Sequence, residues 1–356
     1  MLNILLFCAF FNFPIIEIGE DAIGFFDVLF VIVIPLLINT RLHKSNVFFF
    51  FFGTFFLLLT ISSAVNSLNY GISFQEAIYL LKILELALIP LVITNILKAK
   101  LQYHANLFYF DRLVYILSVL LFIFSVYQIA FLGWHRSGVP FAYGSSGPLG
   151  LIGSGLVIYA YFSVNYKYRI MMIGVLIMLL ALSKSFLLAV AAILVYRFRY
   201  YYNFRVVALV AVVFLMISLS GGFIAERIES IIYALQNFQD LDSLSFRFSR
   251  HWFVLWDDHL RDYRLFIGGG VQSITLSFDS LYFYCFYTIG IFGSLILFLC
   301  GLLLSIKYEI FRLYFIVALV SGIFLEASLI SYRGLEPLLI FLTYANFTYE
   351  RMRYER

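Results

Sequence analysis

The sequence predicts an all-α fold, a polytopic bundle of membrane-spanning helices. Three observations carry that prediction. Of 356 residues, 63% are hydrophobic and only 12% charged, against roughly 45–50% apolar and 25% charged in soluble domains. Mean hydropathy is +0.98. The apolar residues also fall in runs near the ~20 residues a helix needs to cross a bilayer core. These figures exclude a soluble domain. The formal net charge of +4 is too small to argue for a nucleic-acid partner, since basic residues in such a chain mostly report topology.

Taken in order, spans are expected near 3–18, 22–40, 47–64, 76–97, 111–133, 148–164, 168–183, 185–198, 205–221, 279–305, 311–330 and 335–348, about twelve in all. Met1 to Phe13 lacks a basic start and a small-x-small cleavage site, so it reads as an uncleaved first helix. The phenylalanine run 48–52 suits a lipid-facing helix. Cys8, Cys285 and Cys300 fall in apolar segments without CxxC or metal-ligand spacing, so neither a disulfide framework nor a metal site is expected.

Lysine and arginine near span ends are retained in the cytoplasm. Alternate connections carry them: Arg41 and Lys44; Lys98, Lys100 and Arg112; Lys167 and Arg169; Arg197, Arg199 and Arg205; Lys307 and Arg312; and the tail Arg351, Arg353 and Arg356. The intervening connections are poor in them. Both termini are therefore expected in the cytoplasm, with the loop 134–147 and the segment 222–278 on the outer face. This divides the chain into spans and short loops over 1–221, a large outer loop over 222–278, and three final spans with a cytoplasmic tail over 279–356.

The segment 222–278 is the only long stretch too polar for a span. Ile224, Ile228, Ile231, Ile232, Leu235 and Phe238 recur at helical spacing opposite Glu226, Arg227, Glu229 and Gln236, the pattern of an amphipathic surface helix. A second helix is expected over 246–261, with Phe248, Trp252, Leu255 and Trp256 on one stripe and Arg247, Arg250, His251 and Asp258 on another.

Several residues in these outer connections suit chemistry. Arg247 and Arg250 share a helix face at the bilayer surface, and arginine is the preferred fork for phosphate and diphosphate. A solvated, headgroup-contacting face accounts for them as well. Arg136 opens the Gly/Ser-rich loop 135–148, whose backbone allows close approach to a ligand or simply a flexible connection. Lys184, between Ser183 and Ser185, is either a phosphate ligand at the membrane edge or a snorkelling lysine. Asp279 opens a span, as a general base or as the helix N-cap. His251 and His259 are alternative bases, or polar interfacial residues. Within the spans, Lys82 and Glu85 stand at i, i+3 and are expected to neutralise each other. Glu326, Arg333 and Glu336 near the last outer turn read as structural. There is no Walker motif, nicotinamide fingerprint or nucleophile elbow, so any chemistry uses a pre-activated substrate and no cofactor is expected.

Three stretches resemble the O-antigen polymerase (Wzy-type) and O-antigen ligase group of bacterial membrane glycosyltransferases. Ser245-Phe246-Arg247-Phe248-Ser249-Arg250-His251-Trp252 is similar to the opening of the group's catalytic loop. Leu265 to Gly270 is similar to its Leu-Phe-x-Gly-x-Gly turn. Asp279-Ser280-Leu281-Tyr282-Phe283 with Gly290-Ile291-Phe292-Gly293 is similar to its Asp-Asn/Ser-x-Tyr-Leu…Gly-x-x-Gly span. Arg136 to Gly147 also fits the Arg-x10-Gly pattern of polymerases, although the large loop carries no second copy. The resemblance spans roughly residues 130–300. Asp279-Ser280, where ligases tend to have His-Asn, favours polymerase.

The resemblance implies a GT-C-like fold in the bacterial inner membrane, joining oligosaccharide repeats carried on undecaprenyl diphosphate at the periplasmic face. It implies Arg247 and Arg250 as diphosphate ligands and Asp279 as the base. Arg136, Lys184, His251, Gly268, Gly269 and Gly270 would contact substrate. The partners implied are the carrier-linked sugar, membrane lipid and a polysaccharide chain-length regulator. A ligase, or a non-enzymatic flippase of the same carrier, is the alternative.

Overall fold

In a computed structural model, the residues described are 2–12, 14–18, 21–37, 46–71, 73–102, 108–132, 146–163, 166–181, 183–198, 263–271, 280–322 and 331–354. They form a helical bundle with one small hairpin. In chain order the elements are α1 (Leu2–Phe10), β1 (Pro14–Ile18), β2 (Asp21–Gly24), α2 (Phe25–Val33), α3 (Val47–Tyr70), α4 (Phe74–Gln102), α5 (Phe108–Ala130), α6 (Ser146–Phe162), α7 (Lys167–Leu180), α8 (Lys184–Phe198), α9 (Leu281–Lys307), α10 (Glu309–Ser321) and α11 (Tyr332–Tyr354). A single helical turn, Arg264–Ile267, precedes α9.

Four of these helices, α3, α4, α5 and α9, are long and apolar enough to cross a membrane. Local signals set their limits. Gly71 ends α3 at φ 75°. Ser73 and Glu76 then open α4 with reciprocal bonds, Ser73 N–H to Glu76 Oε2 at 2.6 Å and Glu76 N–H to Ser73 Oγ at 3.3 Å, which satisfy free amides of the first turn. At the foot of α9, Arg312 donates to the carbonyls of Ser305 (2.7 Å) and Ile306 (2.8 Å), groups a helix end leaves without partners.

The first two expected spans are corrected. The helix expected over 3–18 stops at Phe10, and 14–18 pairs antiparallel with 21–24 instead. Pro14 has no N–H to donate and disfavours helix at the residue before it. The β-branched Ile15, Ile16 and Ile18 then suit a strand. The second expected span starts as α2, only nine residues long and followed by a tight turn over 34–37. At ~1.5 Å rise per residue, neither α1 nor α2 traverses a core of ~30 Å alone. α7 (14 residues), α8 (15) and α10 (13) are likewise short of a full crossing. The expected span 205–221 and both expected helices of the large loop lie outside the described residues.

The bundle has two distinguishable ends. At one, Asp111 accepts a hydrogen bond from Tyr159 OH. Tyr115 and Tyr166 stack at 4.9 Å, and Tyr349 OH donates to Glu309 Oε2 at 2.9 Å. Arg112, Lys167, Arg169, Lys307 and Arg312 sit at or beside these contacts. At the other end, the starts of α6, α8 and α11 meet. A Cβ added to Gly150 would lie 2.4 Å from Ser183 Oγ, and one added to Gly334 would lie 3.0 Å from Pro148. The Leu281 amide of α9 bonds the Gly322 carbonyl after α10 at 2.8 Å.

Candidate functional site: a glycine turn locked into a broken helix

Residues 263–271 are what the structure describes of the large polar segment, and they do not lie on top of the bundle. They insert between α3 and α9. α9 is broken at Gly290, whose φ of 69° and ψ of −177° are outside helical space. A glycine is required there, because φ near +70° strains any other residue. Gly290 is about ten residues into α9, roughly 15 Å along its axis.

At that depth, non-helical backbone is tolerated only when protein groups satisfy it. Here they do. The Gly269 amide donates to the Tyr287 carbonyl at 2.6 Å. Ser62 Oγ donates to the Thr288 carbonyl at 2.8 Å. Both carbonyls precede the break. On the turn itself, Asn66 Nδ2 donates to the Gly268 carbonyl at 2.8 Å, and Ser63 Oγ accepts from the Val271 amide at 3.0 Å. Ser62, Ser63 and Asn66 lie within about one turn of α3, so one helix face serves both irregular segments. Phe266 stacks on Phe292 at 5.5 Å, flanking the junction.

Gly268, Gly269 and Gly270 are therefore buried against protein backbone. Gly268 and Gly270 take φ of 87° and 65°. A Cβ on Gly270 would stand 2.6 Å from Ser63 Cα. Packing requires glycine at 268 and 270, a constraint the sequence reading did not include.

The other expected site residues fare as follows. Arg136, Arg247, Arg250, His251 and Asp279 lie outside the described residues. Ser280 holds the N-cap position of α9, and its hydroxyl donates to the Gly322 carbonyl at 3.2 Å. That hydroxyl makes no capping bond to the free amides of α9. Lys184 opens α8, at the bundle end where α6 begins after the Arg136 loop. An apolar cleft of about 550 Å³ including its mouth lies between α3, α9 and α10, lined by Phe51, Tyr282, Cys285, Leu297 and Tyr314. Ser294 also lines it, with a buried hydroxyl oxygen that makes no hydrogen bond.

A second polar centre is buried among α1, α2, α4 and α11. Lys82 Nζ pairs with Asp27 Oδ1 on another helix, and Glu85, at i, i+3, also acts on it electrostatically. Asp27 Oδ2 also accepts the Gly24 amide, capping α2. Asn12 bridges α1 to both neighbours: its Nδ2 donates to Glu336 Oε2 at 3.1 Å, and its Oδ1 accepts the Phe26 amide at 3.1 Å. Sequence reasoning missed Asp27 and Asn12. The signal for Asp27 was its lone charge in the apolar run 25–37, an arrangement that membrane segments rarely carry without a use.

No protein-family model matches the chain, and no curated protein matches it. The resemblance of its short motifs therefore stands on those residues and their arrangement.

Proposed function

We propose that this chain is a polytopic inner-membrane glycosyltransferase of the O-antigen polymerase type, GT-C-like in fold. In this reading it joins oligosaccharide repeats carried on undecaprenyl diphosphate at the periplasmic face. The observation that carries the reading is the interlock of Leu265–Gly270 with Gly290–Gly293. These two stretches bear the family resemblance and are separate in sequence, yet they form one packed unit. The unit ties the polar segment that holds Arg247 and Arg250 to the span that follows Asp279. The apolar cleft beside α9 suits a lipid chain in size and lining.

The chemistry needs little apparatus. An acceptor sugar hydroxyl attacks the anomeric carbon of the donor. The bond from that carbon to the diphosphate oxygen breaks, and undecaprenyl diphosphate departs with the electron pair. Arg247 and Arg250 stabilise the charge gathering on the diphosphate, and Asp279 takes the hydroxyl proton. Arg136 and Lys184 hold the second carrier diphosphate, with His251 beside the clamp.

Reconstitution with purified lipid-linked repeat units tests this. Polymer should form without added nucleotide, and Arg250→Ala should abolish long chains at normal protein level. Wild-type chain lengths from Arg250→Ala would remove the clamp from the mechanism. In cells, loss of a polymerase leaves core plus one repeat, whereas loss of a ligase leaves bare core.

A second reading is a flippase of the same carrier, and one observation favours it. The charged centre of Asp27, Lys82 and Glu336 is buried inside the bundle, as in proteins that couple ion movement to transport. Carrier translocation without chain growth in the same liposomes would select it.

A further inference from the structure

Among the described residues, Tyr166 is the one non-glycine with a positive φ, 59°. It holds the N-cap position of α7 and makes no side-chain capping bond. Asparagine suits both demands better, because it tolerates this backbone and caps a helix, whereas tyrosine is strained there. The Tyr166 ring is nevertheless used on both sides. It stacks on Tyr115 of α5 with 9° between the planes, and the Arg169 guanidinium lies over it, 6.0 Å from the ring centre. Lys167 Nζ lies in the same way over the Tyr161 ring of α6, at 4.8 Å. Arg112 stands one turn before Tyr115 on the same face of α5. Ring faces attract cations and so fix their positions.

These cations lack an acidic partner. Arg112, Lys167 and Arg169 make no ion pair among the described residues. The first turn of α7 holds no acidic residue, so Lys167 and Arg169 stand at the positive end of that helix, where an anion is favoured. The nearby carboxylate of Asp111 is buried and accepts from Tyr159 instead. Next to the cations the surface turns apolar: Ile116, Leu120 and Ile123 on α5 and Met172 on α7 are exposed.

We propose that this surface binds the phosphodiester headgroup of an anionic glycerophospholipid. Arg169 and Lys167, held over their tyrosine rings, meet the phosphate, with Arg112 beside them. The acyl chains lie along Ile116, Leu120 and Met172. A free phosphate would use the cations alone, and the adjoining apolar strip selects the lipid. The proposal does not depend on the glycosyltransferase reading.

The test titrates delipidated full-length protein in detergent with phosphatidylglycerol, and native mass spectrometry reads the bound lipid. Phosphatidylglycerol should bind saturably and at least about tenfold tighter than phosphatidylcholine of the same chains. Inorganic phosphate at equal concentration should not displace it. Arg169→Gln should weaken binding roughly fivefold. Lys307→Gln, which removes the same charge from α9, should leave it unchanged. Tyr166→Asn keeps every charge and suits the backbone, yet should weaken binding roughly threefold while circular dichroism shows the helices intact. The proposal is overturned if phosphatidylcholine binds as tightly, or if inorganic phosphate competes as well as the lipid. It is equally overturned if Lys307→Gln matches Arg169→Gln, or if folded Tyr166→Asn keeps wild-type affinity. Should Tyr166→Asn fail to fold, the comparison of Arg169→Gln with Lys307→Gln decides.

Discussion

Gly268 and Gly290 occupy each other's side-chain space. A Cβ built on Gly268 would stand 2.5 Å from the Gly290 nitrogen, and one built on Gly290 would stand 2.6 Å from the Gly268 nitrogen and 2.4 Å from the Phe266 carbonyl. Neither neighbour is the end of a flexible side chain, so neither can give way.

Gly290→Ala and Gly268→Ala should therefore each destabilise the protein by more than the ~1–3 kcal/mol of a left-handed non-glycine backbone alone. Gly53→Ala is the control, since a Cβ there meets only the Phe49 ring, at 3.8 Å. Thermal unfolding in detergent reads the difference. Equal melting temperatures for Gly290→Ala and Gly53→Ala would mean that the interlock is not formed.

Asn66→Leu removes the donor to the Gly268 carbonyl and leaves that buried group unmet, at about 1–3 kcal/mol. Its effect should be local. A cysteine at Ile267 should become more accessible to maleimide in the Asn66→Leu background while α5 keeps its protection from hydrogen exchange. Unchanged labelling would show that the turn holds without Asn66.

Asp27 and Lys82 form a buried pair, and breaking one side strands the other charge. Asp27→Asn and Lys82→Met should each cost about 3–5 kcal/mol. The double variant should cost clearly less than the sum, because it leaves neither charge alone. Additive losses in this cycle would mean that the two side chains do not meet.

The alternation of basic connections in the sequence predicts the sidedness of labelling. Single cysteines at Lys184 and at Tyr166, in an otherwise cysteine-free chain, should react with a membrane-impermeant maleimide from opposite sides of the bilayer. Labelling of both from one side would undo the two-ended arrangement.

Much of the helical framework was legible because it is written locally. Hydropathy runs marked α3, α4, α5 and α9. The 14–24 hairpin was not seen, because apolar content continues through Pro14 and hydropathy is blind to a missing N–H. The spacing of Lys82 and Glu85 pointed to a charge interaction, but Asp27, which reaches Lys82 from another helix, was not legible. Such partners are far apart in sequence, and no local pattern announces them. The glycine run was noticed, but a ligand and a neighbouring backbone call for the same absence of a side chain. At Gly268 it is the backbone of Gly290 that fills that space.

The bond from Asn12 to Glu336 joins the first helix to the last one described. The two partners are 324 residues apart in sequence, and all of that chain must leave the ribosome before the contact exists. Until then the nascent bundle holds Lys82 and Asp27 without their final acidic neighbour, its earliest and latest segments unjoined. This polar centre thus closes late in assembly, and a chain truncated before 336 lacks the partner that Asn12 meets.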